Sequence, residues 1–141
     1  MSPDEFETRF VQGLGGVERA RIWRMFQERV LNELIRLDVK CEIWLDGSFI
    51  TKRPEPDDID GSIMVEASQV DQLSEDAVNY LNLFDDSESP FDPVLDIFLC
   101  VVYPPGHELR DDMNDPDGWA KQWSIERNSN WLKGFAVISL R

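Results

Sequence analysis

The most apolar run of the chain, Val94 to Tyr103, most strongly constrains the fold. It is shorter than the ~20 apolar residues that cross a bilayer, and its composition is typical of a central β-strand. Asp96 is the only charged residue in this run. Because an ionised carboxylate is costly to bury, Asp96 lies near an exposed strand end, bonds to backbone N–H groups, or faces a functional site.

The hydrophobic pattern predicts a mixed order of helices and strands around this run. Residues 1–16 are polar and end in a glycine-rich stretch, which indicates a flexible lead-in before a single domain of residues 17–141. The predicted fold class is α+β, with a small mixed β-sheet and flanking helices. The predicted elements are a helix over 17–37, strands over 41–45 and 59–65, a helix from the Ser68–Asp71 capping box to Phe84, a strand over 94–103, a helix of uncertain length near 119–125 and a last strand over 134–140.

Charge and composition exclude several classes of function. The net charge is −14, and the whole acidic excess lies in residues 54–141. Such a chain has no long-range attraction for duplex DNA, and it favours a basic partner or bound cations if its acids are more than a solvated surface. Two cysteines in apolar runs and a single histidine, His107 in a probable surface loop, argue against disulfide scaffolds, zinc sites and histidine triads. Met1–Glu5 does not have the pattern of a secretory signal, so we expect a cytoplasmic protein without a membrane span.

Asp58 and Asp60 lie at the start of the second predicted strand. Because they are two residues apart, their side chains point to the same face. Two neighbouring carboxylates repel each other, and Mg²⁺ or Mn²⁺ bound between them removes that repulsion. Gly47-Ser48 follows the first strand, where a glycine turn and a hydroxyl can hold phosphate oxygens. Each motif alone is also typical of an ordinary acidic surface or turn. If the Asp-x-Asp is accidental, we expect its carboxylates to lie more than about 8 Å from that of Asp96, too far apart to share a metal site.

The order of these motifs is more specific than any one of them. A strand, Gly47-Ser48, nine residues, Asp58-Ile59-Asp60 and a later strand with Asp96 resemble the polymerase-β-like nucleotidyltransferase superfamily, in particular its small minimal members. The stretches Trp44–Thr51 and Lys133–Ile138 look like an uncharacterised bacterial and phage branch. Asp46 and Gly61 depart from the superfamily pattern, which prefers apolar residues there, and Lys52-Arg53 follow the Gly-Ser turn later than is usual.

The resemblance implies transfer of a nucleoside monophosphate from an NTP such as ATP to an acceptor hydroxyl. Asp58, Asp60 and Asp96 would then hold Mg²⁺ (or Mn²⁺), and Asp96 would help to deprotonate the acceptor. Gly47 and Ser48 would hold phosphate oxygens, and Lys52, Arg53 or Lys133 would neutralise the triphosphate. Three tryptophans are open to two interpretations, as stacking partners for a base or as core residues: Trp119, Trp123 and Trp131.

The sequence leaves the acceptor open between a protein and an RNA such as tRNA. The arginines of the first long helix form either a patch for tRNA or a solvated face with i,i+4 ion pairs. Small members of the resembled superfamily often belong to toxin–antitoxin or phage-defence pairs, which makes a protein partner plausible. The alternative function is a non-catalytic acidic protein on the same fold, an antitoxin or a phage-encoded inhibitor that binds a basic partner.

Overall fold

The computed structural model describes residues 1–84, 93–104, 106–108 and 135–141. Within them the fold is α+β, as predicted, and four strands form one mixed sheet in the order β3–β2–β1–β4. Strand β1 is antiparallel to β2 and β4, whereas β3 runs parallel to β2. The strands are β1 (Cys41–Asp46), β2 (Ile59–Glu66), β3 (Leu95–Val102) and β4 (Ala136–Leu140).

One face of the sheet carries the core. Ile43, Ile63 and Ile97 are completely buried on it, and the helices supply the apolar side chains that meet them. The prediction that 94–103 forms a central strand is wrong for the described sheet, because β3 is an edge strand. Its apolar composition has another cause: Cys100 on its other face joins a second, smaller cluster with Trp44 and Met64.

The predicted helix over 17–37 is confirmed to within one residue. It begins with helix α2 (Val17–Phe26), passes through a π-helical turn (Gln27–Leu31) and ends with α3 (Asn32–Arg36). No described helix has both the length and the apolar character that a membrane span requires.

The flexible lead-in expected for residues 1–16 is wrong, because this segment is folded onto the core. Helix α1 (Pro3–Phe6) starts at a capping box in which the Glu5 N–H donates to Ser2 Oγ at 3.2 Å. The chain continues as π-helical turns (Glu7–Gln12). Phe6 is completely buried and its ring lies 4.9 Å from that of Trp23. Met1 N donates to Val137 O and Met1 O accepts from Ser139 N, so the first residue is attached to β4.

The predicted helix from Ser68 to Phe84 is divided in two. Helix α4 (Ala67–Val70) ends before Asp71, and α5 (Glu75–Asn82) starts after a break. The Ser74 hydroxyl, and not Ser68, caps α5 by accepting from Ala77 N at 3.1 Å. The last predicted strand is found as β4, whereas the helix expected near 119–125 lies outside the described residues.

Candidate functional site

Asp58, Asp60 and Asp96 meet on the face of the sheet opposite the core. Asp60 is the second residue of β2 and is paired with Asp96 across the parallel β2–β3 ladder. Their neighbours Ile59 and Leu95 are completely buried, so the alternation of each strand turns both aspartates to the other face. Asp58 precedes Ile59 by one residue and therefore shares the face of Asp60.

One carboxylate oxygen from each residue lies within 4.8 Å of those of the other two. We call Asp58, Asp60 and Asp96 the carboxylate cluster. These oxygen–oxygen distances are well below the separation of about 8 Å expected if the Asp-x-Asp were accidental. All three side chains are half-buried. The ion pairs among the described residues do not include any of the three. Three hard oxygen ligands without a bridging cationic side chain fit a divalent cation such as Mg²⁺ or Mn²⁺.

The electrostatics of the cluster also favour a bound cation. Burial raises the pKa of Asp60 to about 7, with further contributions from the negative charge of Asp58 and from a hydrogen bond with Asp96. The pKa of Asp58 is raised by burial and by the charges of Asp96 and Asp57, which Arg53 partly opposes. Both shifts show that the site disfavours its own negative charge, and a divalent cation would relieve that cost.

Asp46 is a fourth carboxylate beside the cluster, at a position where the resembled superfamily prefers an apolar residue. It is the last residue of β1 and lies opposite Asp60 in the β1–β2 register, as Asp96 does in the β2–β3 register. Its charge contributes to the raised pKa of Asp60. The sequence offered no signal for this pairing, because residues 47–58 separate β1 from β2 and a connection of that length leaves the register open.

Gly47 forms the turn that brings the end of β1 against the cluster. Its φ of +84° lies in the region that favours glycine, and a Cβ placed on it would lie 2.7 Å from Asp60 Oδ2. The next residue, Ser48, starts a short 3₁₀ turn (Ser48–Ile50), and its carbonyl accepts from both the N–H and the hydroxyl of Thr51. The Gly-Ser turn therefore lies directly beside Asp60.

Of the basic residues expected to bind a triphosphate, the structure describes Lys52 and Arg53. Lys52 is exposed and follows the 3₁₀ turn. The Arg53 guanidinium donates to Asp57 Oδ2 at 3.0 Å, which places a basic group beside the acidic run. Other predicted candidates lie outside the described residues: Lys133, Trp119, Trp123 and Trp131. The His107 ring stacks on Tyr103 with 4.8 Å between centroids.

Arg19 is a residue of this region that sequence reasoning missed. The helical pattern predicts a solvated face for the arginines of this helix, yet Arg19 is 1% exposed. The guanidinium hydrogen-bonds to backbone carbonyls of residues 48–53, the loop that follows Gly47. A signal was present, because Arg19 precedes Trp23 by four residues and Phe26 by seven and so falls on the apolar stripe.

Comparison with known proteins identifies one family. Its family model, described as a family of unknown function (DUF6932), matches residues 1–139. No curated protein and no solved structure matches the chain. The match includes residues 1–16.

Proposed function

We propose that this chain, which belongs to DUF6932, a family of unknown function, is a divalent-metal-dependent nucleotidyltransferase. The single observation that carries the proposal is the carboxylate cluster, with three ligand oxygens within 4.8 Å of one another on adjacent strands beside a Gly-Ser turn. The substrate class is a nucleoside triphosphate, and the acceptor is a hydroxyl of a protein or an RNA. The cytoplasm, where buried free thiols such as Cys41 and Cys100 stay reduced, is the proposed compartment.

In the proposed reaction, an acceptor oxygen forms a bond to the α-phosphorus while the bond from that phosphorus to the bridging oxygen breaks and pyrophosphate leaves. Asp58 and Asp60 would hold the cation that binds the nucleotide, and Asp96 would complete the site. Mg²⁺ or Mn²⁺ supplies positive charge to the attacking and leaving oxygens when it is bound. Asp96, which β3 contributes to the cluster opposite Asp60, would accept the proton of the acceptor hydroxyl.

The residues of the Gly-Ser turn would contact the β- and γ-phosphates. Gly47 supports this role because it has no side chain between the turn and Asp60, so a phosphate bound by the turn would lie next to the cation. Ser48 offers a hydroxyl, and Lys52, four residues later, offers an exposed ammonium group. Arg53 is the second cationic group of this loop and already lies beside Asp57.

The test is transfer of label. The purified protein is incubated with Mg²⁺ or Mn²⁺ and each α-³²P-NTP in turn, together with cell lysate or bulk tRNA. We expect a metal-dependent labelled protein or RNA band that is absent for Asp58→Asn/Asp60→Asn. Asp71→Asn is the matched control, because Asp71 is exposed and follows α4 beyond the far end of β2, away from the cluster.

The net charge of −14 favours a second function, a non-catalytic protein whose acidic surface binds a basic partner. The two functions differ in their dependence on the nucleotide. Absence of label from every NTP, together with absence of Mg²⁺–NTP binding in isothermal titration calorimetry, would exclude the transferase. A partner captured from lysate whose binding survives Asp58→Asn/Asp60→Asn would then support the second function.

A further inference from the structure

Arg19 is an unusual buried charge, because carbonyl oxygens alone satisfy it. Its Nε donates to Phe49 O at 3.1 Å and its Nη1 to Gly15 O at 2.9 Å. Its Nη2 donates to the carbonyls of Thr51 at 3.0 Å and Arg53 at 2.8 Å, with a longer contact of 3.5 Å to Ser48 O. Among the described residues it forms no ion pair with a carboxylate. A buried guanidinium is costly, so a fold keeps one where its five N–H donors have a specific task.

The contacts of Arg19 converge on one loop. Four of its five carbonyl partners belong to residues 48–53, and the fifth, Gly15, precedes the helix that carries Arg19. The guanidinium also lies over the Phe49 ring, with its central carbon 5.7 Å from the ring centroid. One side chain of α2 therefore holds the whole loop from Ser48 to Arg53 against the helix.

The carbonyl contacts also determine which way the loop presents its peptide groups. The described chain has no cis peptide bond, and in a trans peptide the C=O and the following N–H point in opposite directions. The carbonyls of Phe49 and Thr51 point at the guanidinium, so the N–H groups of Ile50 and Lys52 point away from it. The loop thus turns carbonyl oxygens, which repel phosphate, towards Arg19.

The same loop starts at the carboxylate cluster. Gly47, directly before it, approaches Asp60 so closely that a Cβ would lie 2.7 Å from Oδ2. At the other end, Arg53 hydrogen-bonds to Asp57 in the acidic run that leads to the cluster. Arg19 and the Phe49 ring, which is completely buried in the core, therefore both contribute to the position of residues 48–53 relative to the proposed cation site.

We propose that Arg19 is a positioning residue that holds the loop of residues 48–53 ready for the polyphosphate of a metal-bound nucleotide. This inference rests on the proposed function. Arg19 touches neither the cation nor the reacting atoms; it removes the need to order the loop when the anion binds, and this raises affinity. Its loss should weaken polyphosphate binding and leave binding of a cation by the carboxylate cluster unchanged.

The experiment compares the wild type with Arg19→Met, Arg19→Lys and Leu34→Ala. Met keeps the approximate length without the donors, whereas Lys keeps the charge with fewer donors. Leu34 is completely buried at the opposite end of the sheet, where it lines a cavity with Lys40 and Leu140, and its truncation lowers stability without touching the loop. The probes are Mg²⁺–tripolyphosphate, the four Mg²⁺–NTPs and Mn²⁺ alone, each measured by isothermal titration calorimetry.

We expect Arg19→Met to weaken Mg²⁺–tripolyphosphate binding by about tenfold or more, with Arg19→Lys intermediate, and to change Mn²⁺ affinity by less than about twofold. Hydrogen exchange of the amides of residues 49–53 should become faster in both Arg19 variants and stay as in the wild type in Leu34→Ala. If label transfer is found, the KM for the NTP should rise while kcat changes little. If Arg19→Met does not fold, Arg19→Lys carries the same comparison.

Two results would overturn the assignment of Arg19 alone. One is wild-type affinity for Mg²⁺–tripolyphosphate in the folded Arg19 variants, and the other is an equal loss of affinity in Leu34→Ala, which would show that lower stability suffices. A wild-type protein that binds Mn²⁺ but neither tripolyphosphate nor any NTP would overturn the proposed function as well. The experiment therefore distinguishes failure of the Arg19 assignment from failure of the proposed function.

Discussion

Replacing Asp60 by Asn should make the metal-free protein more stable, although it removes a residue of the candidate site. The pKa of Asp60 is raised from its ordinary value of 3.8 to about 7, mainly by burial and by the neighbouring carboxylates. At ~1.36 kcal/mol per pH unit, an ionised Asp60 costs the folded state about 4 kcal/mol. The side chain is half-buried and its interactions are screened by water, so we expect about half of this, about 2 kcal/mol.

The pH dependence follows from the sign of this shift. A carboxyl whose pKa is raised in the folded state favours folding below its unfolded value, near pH 4, and loses that contribution as the pH rises to about 7. The stability gained by Asp60→Asn should therefore be close to zero at pH 4 and largest at pH 8. For a domain of 141 residues, about 2 kcal/mol corresponds to a Tm increase of about 8 °C.

The assay is thermal and urea unfolding in EDTA between pH 4 and pH 8, followed by a titration with Mg²⁺. In the wild type, Mg²⁺ at ten times its Kd should restore about 1.4 kcal/mol, and Asp60→Asn should gain much less. Asp71→Asn serves as the control, since Asp71 is exposed and distant from the cluster, and its replacement should leave the Tm nearly constant. A lower Tm for Asp60→Asn at pH 8 without metal, or a gain independent of pH, would refute the electrostatic account of the cluster.

Four further substitutions test the turn beside the site and the fold that supports it. Gly47→Ala should lower the free energy of unfolding by about 1–2 kcal/mol, because φ is +84° and the new Cβ would press on Asp60 Oδ2; urea unfolding measures this, and Mn²⁺ binding should weaken with it. Phe6→Ala should cost about 3–4 kcal/mol in the same assay, since Phe6 is completely buried against Trp23, whereas a flexible lead-in would tolerate the change. Ser74→Ala should cost about 1 kcal/mol through loss of the bond to Ala77 N, and Ser68→Ala, which caps no helix, should cost less than half of that.

The elements that sequence reasoning predicted well are those with a strong local period. The apolar stripe through Trp23, Phe26 and Val30 predicts the long helix, and alternation around Ile43 and Ile63 predicts two strands. The expectation of a flexible lead-in is wrong although Ser2-Pro3-Asp4-Glu5 forms a capping box with proline in the first turn, because the helical segment 3–12 is short and Phe6 and Phe10 supply only one helical repeat. The same shortness concealed the break between α4 and α5.

The sequence by itself determined the order of the chemical groups: a Gly-Ser turn after a strand, then Asp58 and Asp60, whose shared face follows from the period of two. Their proximity to Asp96 was decided by tertiary structure, since only the parallel pairing of β2 and β3 brings together residues 36 positions apart. The burial of Arg19 was likewise decided by the fold of a loop that follows it by about 30 residues. The physical reason is that periodicity depends on neighbours in the chain, whereas the pKa, the burial and the partners of a side chain depend on segments that meet only in the folded sheet.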